Sequence, residues 1–351
     1  MAFVLNEKIK NLTPYSPVEG EYAVRLDANE SYFSLSEEIL SEVKDAIGKV
    51  DFNRYPDPFA TELCKAFAKF YGIDENFVTA GNGSDELISV RMTAFLQKGD
   101  KVMTVTPDFS MYAFYSSIVE AQCIDFFKNT ELEFSADNVI KEAKNQNVRV
   151  LIFSNPCNPT SLGVKRDEMR KLISSIDCLV VLDEAYMDFW DESLINEADK
   201  YDNLIILRTC SKAFGLAAMR LGFAVANKTL TDVIRSVKSP YNVNSLSQAA
   251  GTVVLNHADY LKECTESIKK SRDELYKMIT DLSEKYKGKI KPVAPVTNFV
   301  YTEFEKAEEL FEFLKTKGIA VRKMGTHLRI SAGSEEENRK VCEGIDLFYK
   351  S

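Results

Sequence analysis

A lysine that directly follows a short apolar run is the residue of this chain best placed to do chemistry. Lys212 lies in the sequence Thr-Cys-Ser-Lys-Ala-Phe-Gly, just after the apolar run at residues 204–207. A lysine at the end of a buried strand can be desolvated enough to lose its proton, and a neutral amine attacks carbonyl groups. A second apolar run, at residues 179–182, ends in Asp183, and Arg220 follows the lysine eight residues later. These three residues are candidates for a single site.

The combination of an amine, a buried carboxylate and an anion-binding arginine is what pyridoxal phosphate requires of a protein. Asp183 and Glu184 are adjacent, and they cannot face the same way in a strand because side chains alternate between its faces. We expect Asp183 to enter the site, where a carboxylate facing a pyridinium nitrogen keeps that nitrogen protonated. We expect Glu184 to play a structural part. An ATPase interpretation fails, because the sequence contains no G-x-x-x-x-G-K-[ST] motif.

A glycine-rich turn, Gly-Asn-Gly-Ser-Asp-Glu at residues 81–86, follows an apolar run and precedes a helical pattern. Free amides at a helix N-terminus, approached closely because glycine has no side chain, can bind a phosphate. The alternative is a capped tight turn, since Ser84 and Asp85 are both good N-caps. The turn is not the dinucleotide fingerprint, because Glu86 stands at the third glycine position.

Two further loops and a pair of arginines are weaker candidates, each with a structural alternative. The sequence Asn-Pro-Cys-Asn-Pro-Thr at residues 155–160 can present Asn158 to a ligand or can simply be a turn. Phe109 can stack on a planar ring or can belong to the core. Arg322 and Arg329 can form ordinary ion pairs, or together they can form a bidentate clamp for an anion.

Composition excludes several classes of protein. The chain has 351 residues and a net charge of -9, and it lacks a basic cluster, so nucleic acid is not an expected partner. No apolar stretch approaches membrane-spanning length, and the N-terminus lacks a signal-peptide pattern, so we expect a cytoplasmic protein that does not contact membranes. The seven cysteines are scattered and only two histidines occur, so we expect neither disulfides nor a metal site.

Short apolar runs alternate with helical stretches between residues 77 and 226, which predicts βαβ units and a mostly parallel, buried sheet. The runs lie near residues 77–80, 101–105, 122–126, 148–153, 178–182, 204–207 and 221–226. A long helical region follows, broken near Asn256, and the remainder has the pattern of a small α+β unit. We therefore predict an irregular N-terminal arm (1–30), a large three-layer α/β/α domain (31–242) and a smaller α+β domain (243–351).

Nine short motifs spread over nearly the whole chain resemble those of fold type I pyridoxal phosphate enzymes, which share the aspartate aminotransferase fold. Within that group the chain is most similar to the histidinol-phosphate aminotransferase family. The motifs lie at residues 11–15, 26–30, 54–56, 83–86, 158–160, 183–186, 211–215, 220–222 and 328–330. The resemblance implies a class II aminotransferase that transfers an amino group between histidinol phosphate and 2-oxoglutarate in histidine biosynthesis, with glutamate as the amino-acid partner.

The same resemblance implies which residues contact the ring of the cofactor. Lys212 would bind the cofactor covalently and move protons during turnover, and Asp183 would pair with the ring nitrogen. Tyr186 and Asn158 would bond the ring hydroxyl, and Phe109 would stack on the ring.

The family pattern also implies how the two anionic groups are bound. The backbone amides of Ser84 and Asp85, together with Ser211 and Arg220, would hold the cofactor phosphate. In the family the tyrosine of the Arg-Tyr-Pro motif reaches the phosphate of a neighbouring subunit, so Tyr55 implies a homodimer with shared active sites. The anionic end of the substrate would be bound by three residues, Tyr15, Arg322 and Arg329.

The sequence departs from the family pattern at three places. Cys157 replaces the usual asparagine, Ser161 replaces the usual glycine, and the segment between Arg322 and Arg329 is short. Because that segment borders the substrate anion, an aromatic or broad-range aminotransferase is an alternative, and a threonine-phosphate decarboxylase is a more distant one. A ligand-sensing module of a transcription regulator, or a binding protein without catalysis, would be a different class. The first of these would need a basic DNA-binding domain ahead of the module.

Overall fold

The computed structural model describes residues 3–10, 12, 14, 16 and 18–350. Its strands are β1 (Val24–Leu26), β2 (Val78–Asn82), β3 (Lys101–Thr106), β4 (Gln122–Phe127), β5 (Val150–Ser154), β6 (Leu179–Asp183), β7 (Leu204–Thr209), β8 (Leu221–Ala226), β9 (Ile290–Pro292), β10 (Phe299–Phe304), β11 (Ile319–Met324) and β12 (His327–Ser331). Its α-helices are α1 (Glu7–Lys10), α2 (Glu37–Gly48), α3 (Thr61–Tyr71), α4 (Ser84–Phe95), α5 (Met111–Ile118), α6 (Ala136–Gln146), α7 (Arg166–Ser174), α8 (Lys228–Val237), α9 (Ser245–Asn256), α10 (Ala258–Lys285), α11 (Ala307–Thr316) and α12 (Glu335–Lys350).

Seven strands form the large sheet in the order β2-β8-β7-β6-β5-β3-β4. The strands from β7 to β4 run parallel, and β8 is antiparallel to both of its neighbours. The seven apolar runs of the sequence correspond one to one to these strands. All six residues of β7 are buried, because helices cover both faces of the sheet and leave no polar side.

Two groups of helices cover the two faces of the large sheet. One core joins strand residues to α2, α3, α6, α7 and α9. A second core, on the opposite face, joins strand residues to α4, α5 and α8. The predicted three-layer α/β/α architecture is therefore confirmed.

The small sheet has the order β1-β11-β12-β10-β9, and α10, α11 and α12 pack against it around a third core. β1 pairs with β11 in parallel, with Val24 opposite Ile319, and the other pairs are antiparallel. The segment expected to be an irregular arm therefore supplies an edge strand to this sheet. Its three residues are too few to show a period, so the strand depends on its pairing with β11.

The predicted start of the small domain at residue 243 does not follow the packing of α9. This helix contributes Ala250 and Val254 to the same core as α2 and α3. α10 contributes Ile268 to that large core and Leu275 to the core of the small sheet. We propose that the boundary lies within α10, with β1 added to the small domain.

Candidate active site

A cavity of about 450 Å³ lies where the carboxyl ends of the large-sheet strands face the small sheet. In open α/β sheets, ligands bind at this edge because loops from several strands meet there. The sequence-predicted residues that line it are Ser84, Asp85, Phe109, Asn158, Asp183, Tyr186, Ser211, Lys212, Arg220, Arg322 and Arg329. The fold therefore brings together side chains separated by up to 245 positions in the sequence.

Lys212 lies in the turn that follows β7, with its amine directed into the cavity. Its Nζ donates a hydrogen bond to the carbonyl oxygen of Ala28 at 2.9 Å, a neutral acceptor. Burial lowers the pKa of Lys212 to about 8, and the positive charge of Arg329 acts in the same direction. Near physiological pH the neutral fraction of this amine is therefore far larger than that of an ordinary lysine, and the neutral form is the one that attacks carbonyl groups.

Asp183 ends β6 and is 4% exposed. Its Oδ2 accepts a hydrogen bond from the hydroxyl of Tyr112 at 2.8 Å, and its Oδ1 accepts one from the amide of Ala185 at 3.1 Å. Burial nevertheless raises the pKa of Asp183 to about 7. A positively charged donor in the cavity would therefore gain a strong partner in this carboxylate.

Glu184 lies on the other side of the strand end, as side-chain alternation requires. Its carboxylate is fully buried and forms an ion pair with Arg208 at 2.9 Å. Arg208 also pairs with Asp188 at 3.0 Å, which ties the segment after β6 to β7. This network fixes the backbone on which Asp183 and Tyr186 are carried.

Two glycines allow α4 to begin against the end of β8. Gly83 precedes α4 with a φ of 84°, a conformation that favours glycine. A Cβ atom on Gly222 would lie 2.4 Å from the amide nitrogen of Ser84, and one on Gly83 would lie 2.6 Å from Nη2 of Arg220. Glycine at both positions therefore lets the N-terminus of α4 and the guanidinium of Arg220 lie side by side at this end of the cavity.

Arg220 and Ser211 complete this end of the cavity. Nη1 of Arg220 lies 3.5 Å from Oγ of Ser211, and Nη2 lies 3.7 Å from Oδ2 of Asp85. Arg220 itself has a φ of 51°, which turns its side chain back towards the start of α4. Free helix amides, a hydroxyl and a guanidinium together form an anion site that suits a phosphate.

The opposite end of the cavity carries the two small-domain arginines. Arg322 on β11 and Arg329 on β12 are direct partners in the antiparallel register. Arg329 donates from Nη1 to Oδ1 of Asn158 and from Nη2 to the carbonyl oxygen of Asp27, both at 2.7 Å. These bonds hold the guanidinium plane at the cavity wall. The short segment between the two arginines is a tight hairpin, in which Met324 is opposite His327.

Tyr186 is oriented by a buried residue that the sequence interpretation did not assign. Its hydroxyl accepts a hydrogen bond from Nδ2 of Asn29 at 2.9 Å. Asn29 is 1% exposed and has a φ of 53°. Its backbone N–H donates to Oγ of Ser331, and its Oδ1 accepts a hydrogen bond from the same hydroxyl. Tyr112 is the second residue that was missed, because its apolar surroundings in α5 resemble those of an ordinary core residue. Asn29 lies in one of the motifs of the resemblance, which was the available signal.

Phe109 is half-buried at the cavity wall, with its ring edge-on to Tyr112 at 5.6 Å between centroids.

Tyr55 does not line the cavity of its own chain. It is 81% exposed and stacks on Tyr241 at 4.6 Å. Tyr15 lies outside the described residues. His327 also lies away from the cavity, stacked on Tyr301 at 4.3 Å.

The two substituted loop positions have structural roles next to the cavity. Ser161 has a φ of 65°, where glycine would be less strained, and its hydroxyl donates to the carbonyl oxygen of Phe299 at 3.1 Å. The loop is thereby bonded to the small sheet. Cys157 is buried, with its sulfur 2.9 Å from Nζ of Lys128. Neither side chain lines the cavity.

Comparison with known proteins identifies the family. A model of "Aminotransferase class I and II" matches residues 22–345. The chain is 38% identical over 352 residues to a histidinol-phosphate aminotransferase of Clostridium kluyveri, covering 99% of both chains. It is 39% identical to one of Clostridium novyi, covering 99% of this chain and 98% of that protein. The chain belongs to the aminotransferase class I and II family, and the predicted enzyme class and cofactor, a transaminase that uses pyridoxal phosphate, are confirmed.

A solved structure agrees with the fold. The crystal structure of histidinol-phosphate aminotransferase from Sinorhizobium meliloti in complex with pyridoxal-5'-phosphate superposes with a TM-score of 0.87, at 22% identity and 99% coverage of both chains. The residues of the present cavity fit that cofactor. The anion site at the start of α4 suits its phosphate, and the buried carboxylate of Asp183 at the cavity wall suits a protonated ring nitrogen.

Within the described residues, no helix is long and apolar enough to cross a membrane. The same residues contain no group of three or more His, Cys, Asp or Glu side chains that could hold a metal ion.

Proposed function

We propose that this aminotransferase transfers an amino group between histidinol phosphate and 2-oxoglutarate, and so serves histidine biosynthesis. The observation that carries the proposal is the pair Arg322 and Arg329, adjacent across β11 and β12 at the cavity end opposite Arg220. A planar guanidinium donates two parallel N–H bonds equally well to a phosphate monoester and to a carboxylate. One clamp can therefore bind both substrates in turn. The full-length relatives named as histidinol-phosphate aminotransferases support this substrate.

Different residues of the cavity would bind the phosphate and the ring nitrogen of the cofactor. The amides of Ser84 and Asp85, with Ser211 and Arg220, would hold its phosphate, and Asp183 would hold a proton on its ring nitrogen. When bound, the cofactor supplies an electron-withdrawing ring that stabilises negative charge on the substrate carbon next to the nitrogen.

A second group of residues orients the ring. Tyr186 and Asn158 would donate hydrogen bonds to the ring hydroxyl, and Phe109 would cover one face of the ring. Tyr186 is already fixed by Asn29, and Asn158 by Arg329, so these donors need little reorganisation when the cofactor binds.

The amine of Lys212 has two tasks in this scheme. It would hold the cofactor covalently until the substrate amine takes that place. Its Nζ, whose pKa burial lowers to about 8 in the cofactor-free protein, would then accept a proton from the substrate carbon and return it to a different atom. A base with a pKa close to the working pH can both accept and donate at comparable rates.

A direct assay separates this function from its alternatives. The purified holoenzyme is given 2-oxoglutarate with histidinol phosphate, phenylalanine or threonine phosphate, and glutamate formation and carbon dioxide release are measured. We expect kcat/KM for histidinol phosphate to exceed that for phenylalanine by about tenfold or more, since a phosphate monoester brings nearly two negative charges to the two arginines and the carboxylate of phenylalanine brings one. Equal or better use of phenylalanine would contradict the proposal, and so would release of carbon dioxide from threonine phosphate.

We also infer a homodimer in which Tyr55 of each chain reaches the cofactor phosphate of the other. The support is a set of exposed aromatic side chains near Tyr55, since such patches usually mark protein interfaces. Phe52 is 79% exposed, Tyr55 81% and Phe59 56%. Mixing inactive Lys212→Ala chains with Tyr55→Phe chains tests the shared site. Each mixed dimer then contains one site with both wild-type residues, so activity above that of either parent is expected, and no gain on mixing would contradict the shared site.

A cytoplasmic location is part of the same proposal. All seven cysteines lie within the described residues and are free thiols, which is typical of a reducing compartment.

A further inference from the structure

Arg91 is a buried cation that none of the roles above uses. It lies in the second half of α4 and is 2% exposed. Within the described residues, none of its three guanidinium nitrogens has a hydrogen-bond partner. A desolvated charge without hydrogen bonds is strongly unfavourable for folding unless an opposite charge lies near it. The chain therefore retains Arg91 at a cost to its stability.

The packing of α4 places Arg91 on the same side of the sheet as Asp183. Leu87 and Ile88 precede Arg91 by four and three residues, so all three lie on one face of the helix. Leu87 and Ile88 belong to the core that also contains Val181 of β6. Val181 and Asp183 are two residues apart in the strand and so face the same way. Arg91 and Asp183 therefore share the layer between α4, α5 and the sheet.

A cation in this layer would favour the ionised form of Asp183, which its other surroundings oppose. Tyr112 of α5 donates to the carboxylate, but two other acids, Asp108 and Asp85, oppose its ionisation, and so does burial. The negative charge of Asp183 in turn opposes the effect of burial on Arg91, whose pKa falls to about 9. No other charge has a comparable influence on Arg91. An attraction between two opposite charges favours the ionised form of both, although at Asp183 burial and the two acids outweigh it.

We propose that Arg91 is a positioning residue for the cofactor. Its buried positive charge keeps Asp183 ionised, while Tyr112 fixes the direction in which the carboxylate points. The inference rests on Asp183 serving the ring nitrogen, since a neutral carboxylic acid in that place could not hold the nitrogen protonated. Because all three guanidinium nitrogens lack partners, Arg91 acts by charge through the low-dielectric interior and not through a hydrogen bond.

The test compares Arg91→Met, which removes the charge at similar volume, with Arg91→Lys, which keeps it. Each holoenzyme is reconstituted with cofactor labelled with nitrogen-15 in the ring, and the ring-nitrogen chemical shift is followed against pH without substrate. In Arg91→Met the shared proton should move from the ring nitrogen towards Asp183, so the ratio of protonated to unprotonated ring nitrogen at neutral pH should fall at least about tenfold and the chemical shift should move towards the unprotonated value. Arg91→Lys should resemble the wild type. A wild-type titration in Arg91→Met would overturn the proposal.

Stability supplies a second readout that a purely structural arginine would not give. Removal of an unpaired buried charge should leave the unfolding midpoint of cofactor-free Arg91→Met unchanged or higher. A lower midpoint that Arg91→Lys restores, with an unchanged ring-nitrogen titration, would make Arg91 a packing residue and refute the inference. If Arg91→Met does not fold, Arg91→Gln, also uncharged, is measured under the same criteria.

Two results separate this inference from the proposed function. A wild-type ring nitrogen that is unprotonated at neutral pH would contradict the role of Asp183 itself. A failure of the histidinol phosphate assay would leave the ring-nitrogen titration unaffected, because no substrate is present in that measurement. In an Asp183→Asn background, Arg91→Met should no longer change the ring-nitrogen chemical shift, and a persistent effect there would overturn the proposal by showing that Arg91 acts through another group.

Discussion

Replacing Asp183 with asparagine should stabilise the cofactor-free protein at neutral and alkaline pH while abolishing most of its activity. Burial raises the pKa of Asp183 from its ordinary 3.8 to about 7. Each unit of difference between the folded and unfolded states is worth about 1.4 kcal/mol, so the ionised side chain destabilises the folded protein by about 4 kcal/mol above pH 7. Asparagine does not ionise and can still accept the hydrogen bond from Tyr112. The substitution should recover most of that free energy.

The difference in free energy of unfolding between Asp183→Asn and wild type should depend on pH. A carboxyl whose pKa is raised by folding contributes its full stability below pH 4, and that contribution is lost as the pH rises through 7. Wild type and Asp183→Asn should therefore have similar free energies of unfolding near pH 4. The gap should widen up to pH 7 and stay constant above it. Urea unfolding of both cofactor-free proteins at a series of pH values measures the gap.

Glu184, the neighbouring carboxylate, provides a matched control. It is also fully buried, but it is paired with Arg208 at 2.9 Å. Glu184→Gln removes one of the two carboxylates that pair with Arg208 and leaves it with Asp188, so the substitution should destabilise the protein by about 2 kcal/mol. Addition of cofactor should then stabilise wild type more than Asp183→Asn. An Asp183→Asn protein that is less stable than wild type at pH 8, or a gap that does not vary with pH, would refute the reasoning.

Three further predictions concern the cavity. The rate at which cofactor attaches to the cofactor-free protein should rise with pH and level off above about 8, because burial lowers the pKa of Lys212 to that value; stopped-flow absorbance measures it, and a flat profile would contradict the assignment. Arg329→Lys should raise KM for histidinol phosphate and for glutamate alike by about 100-fold, since bidentate geometry is lost; steady-state kinetics that show a change for one substrate alone would exclude a shared clamp. Gly222→Ala should weaken cofactor binding at least about tenfold, because its Cβ would lie 2.4 Å from the amide nitrogen of Ser84. The control variant Gly48→Ala, whose Cβ would have nothing within 4 Å, should bind the cofactor normally. Equal affinities of the two variants in a fluorescence titration would count against the anion site.

The large sheet could be predicted from sequence because its strands are buried on both faces. Each appears as an unbroken apolar run, such as β7, and each run is separated from the next by a helical period. β1 could not be found in this way. It has three residues, and its partner β11 lies nearly 300 positions away, so no local pattern marks it.

The residues proposed to contact the cofactor were also accessible from the sequence, because several of them end a strand, follow one closely or begin a helix. Lys212 and Asp183 are examples. The residues that orient them were not accessible from local patterns. Asn29 depends on a bond to Ser331 across 302 positions, and Tyr112 shares its apolar surroundings with ordinary core residues. Such contacts are fixed by the tertiary fold alone.

The most direct test of the central claim is to locate the covalent attachment of the cofactor. The holoenzyme is reduced with borohydride, digested, and analysed by peptide mass spectrometry. The predicted result is a pyridoxyl group on Lys212 at a stoichiometry of one per chain, and none in Lys212→Ala. A label on any other lysine, or a wild-type protein that takes up no label, would contradict the assignment of the active site.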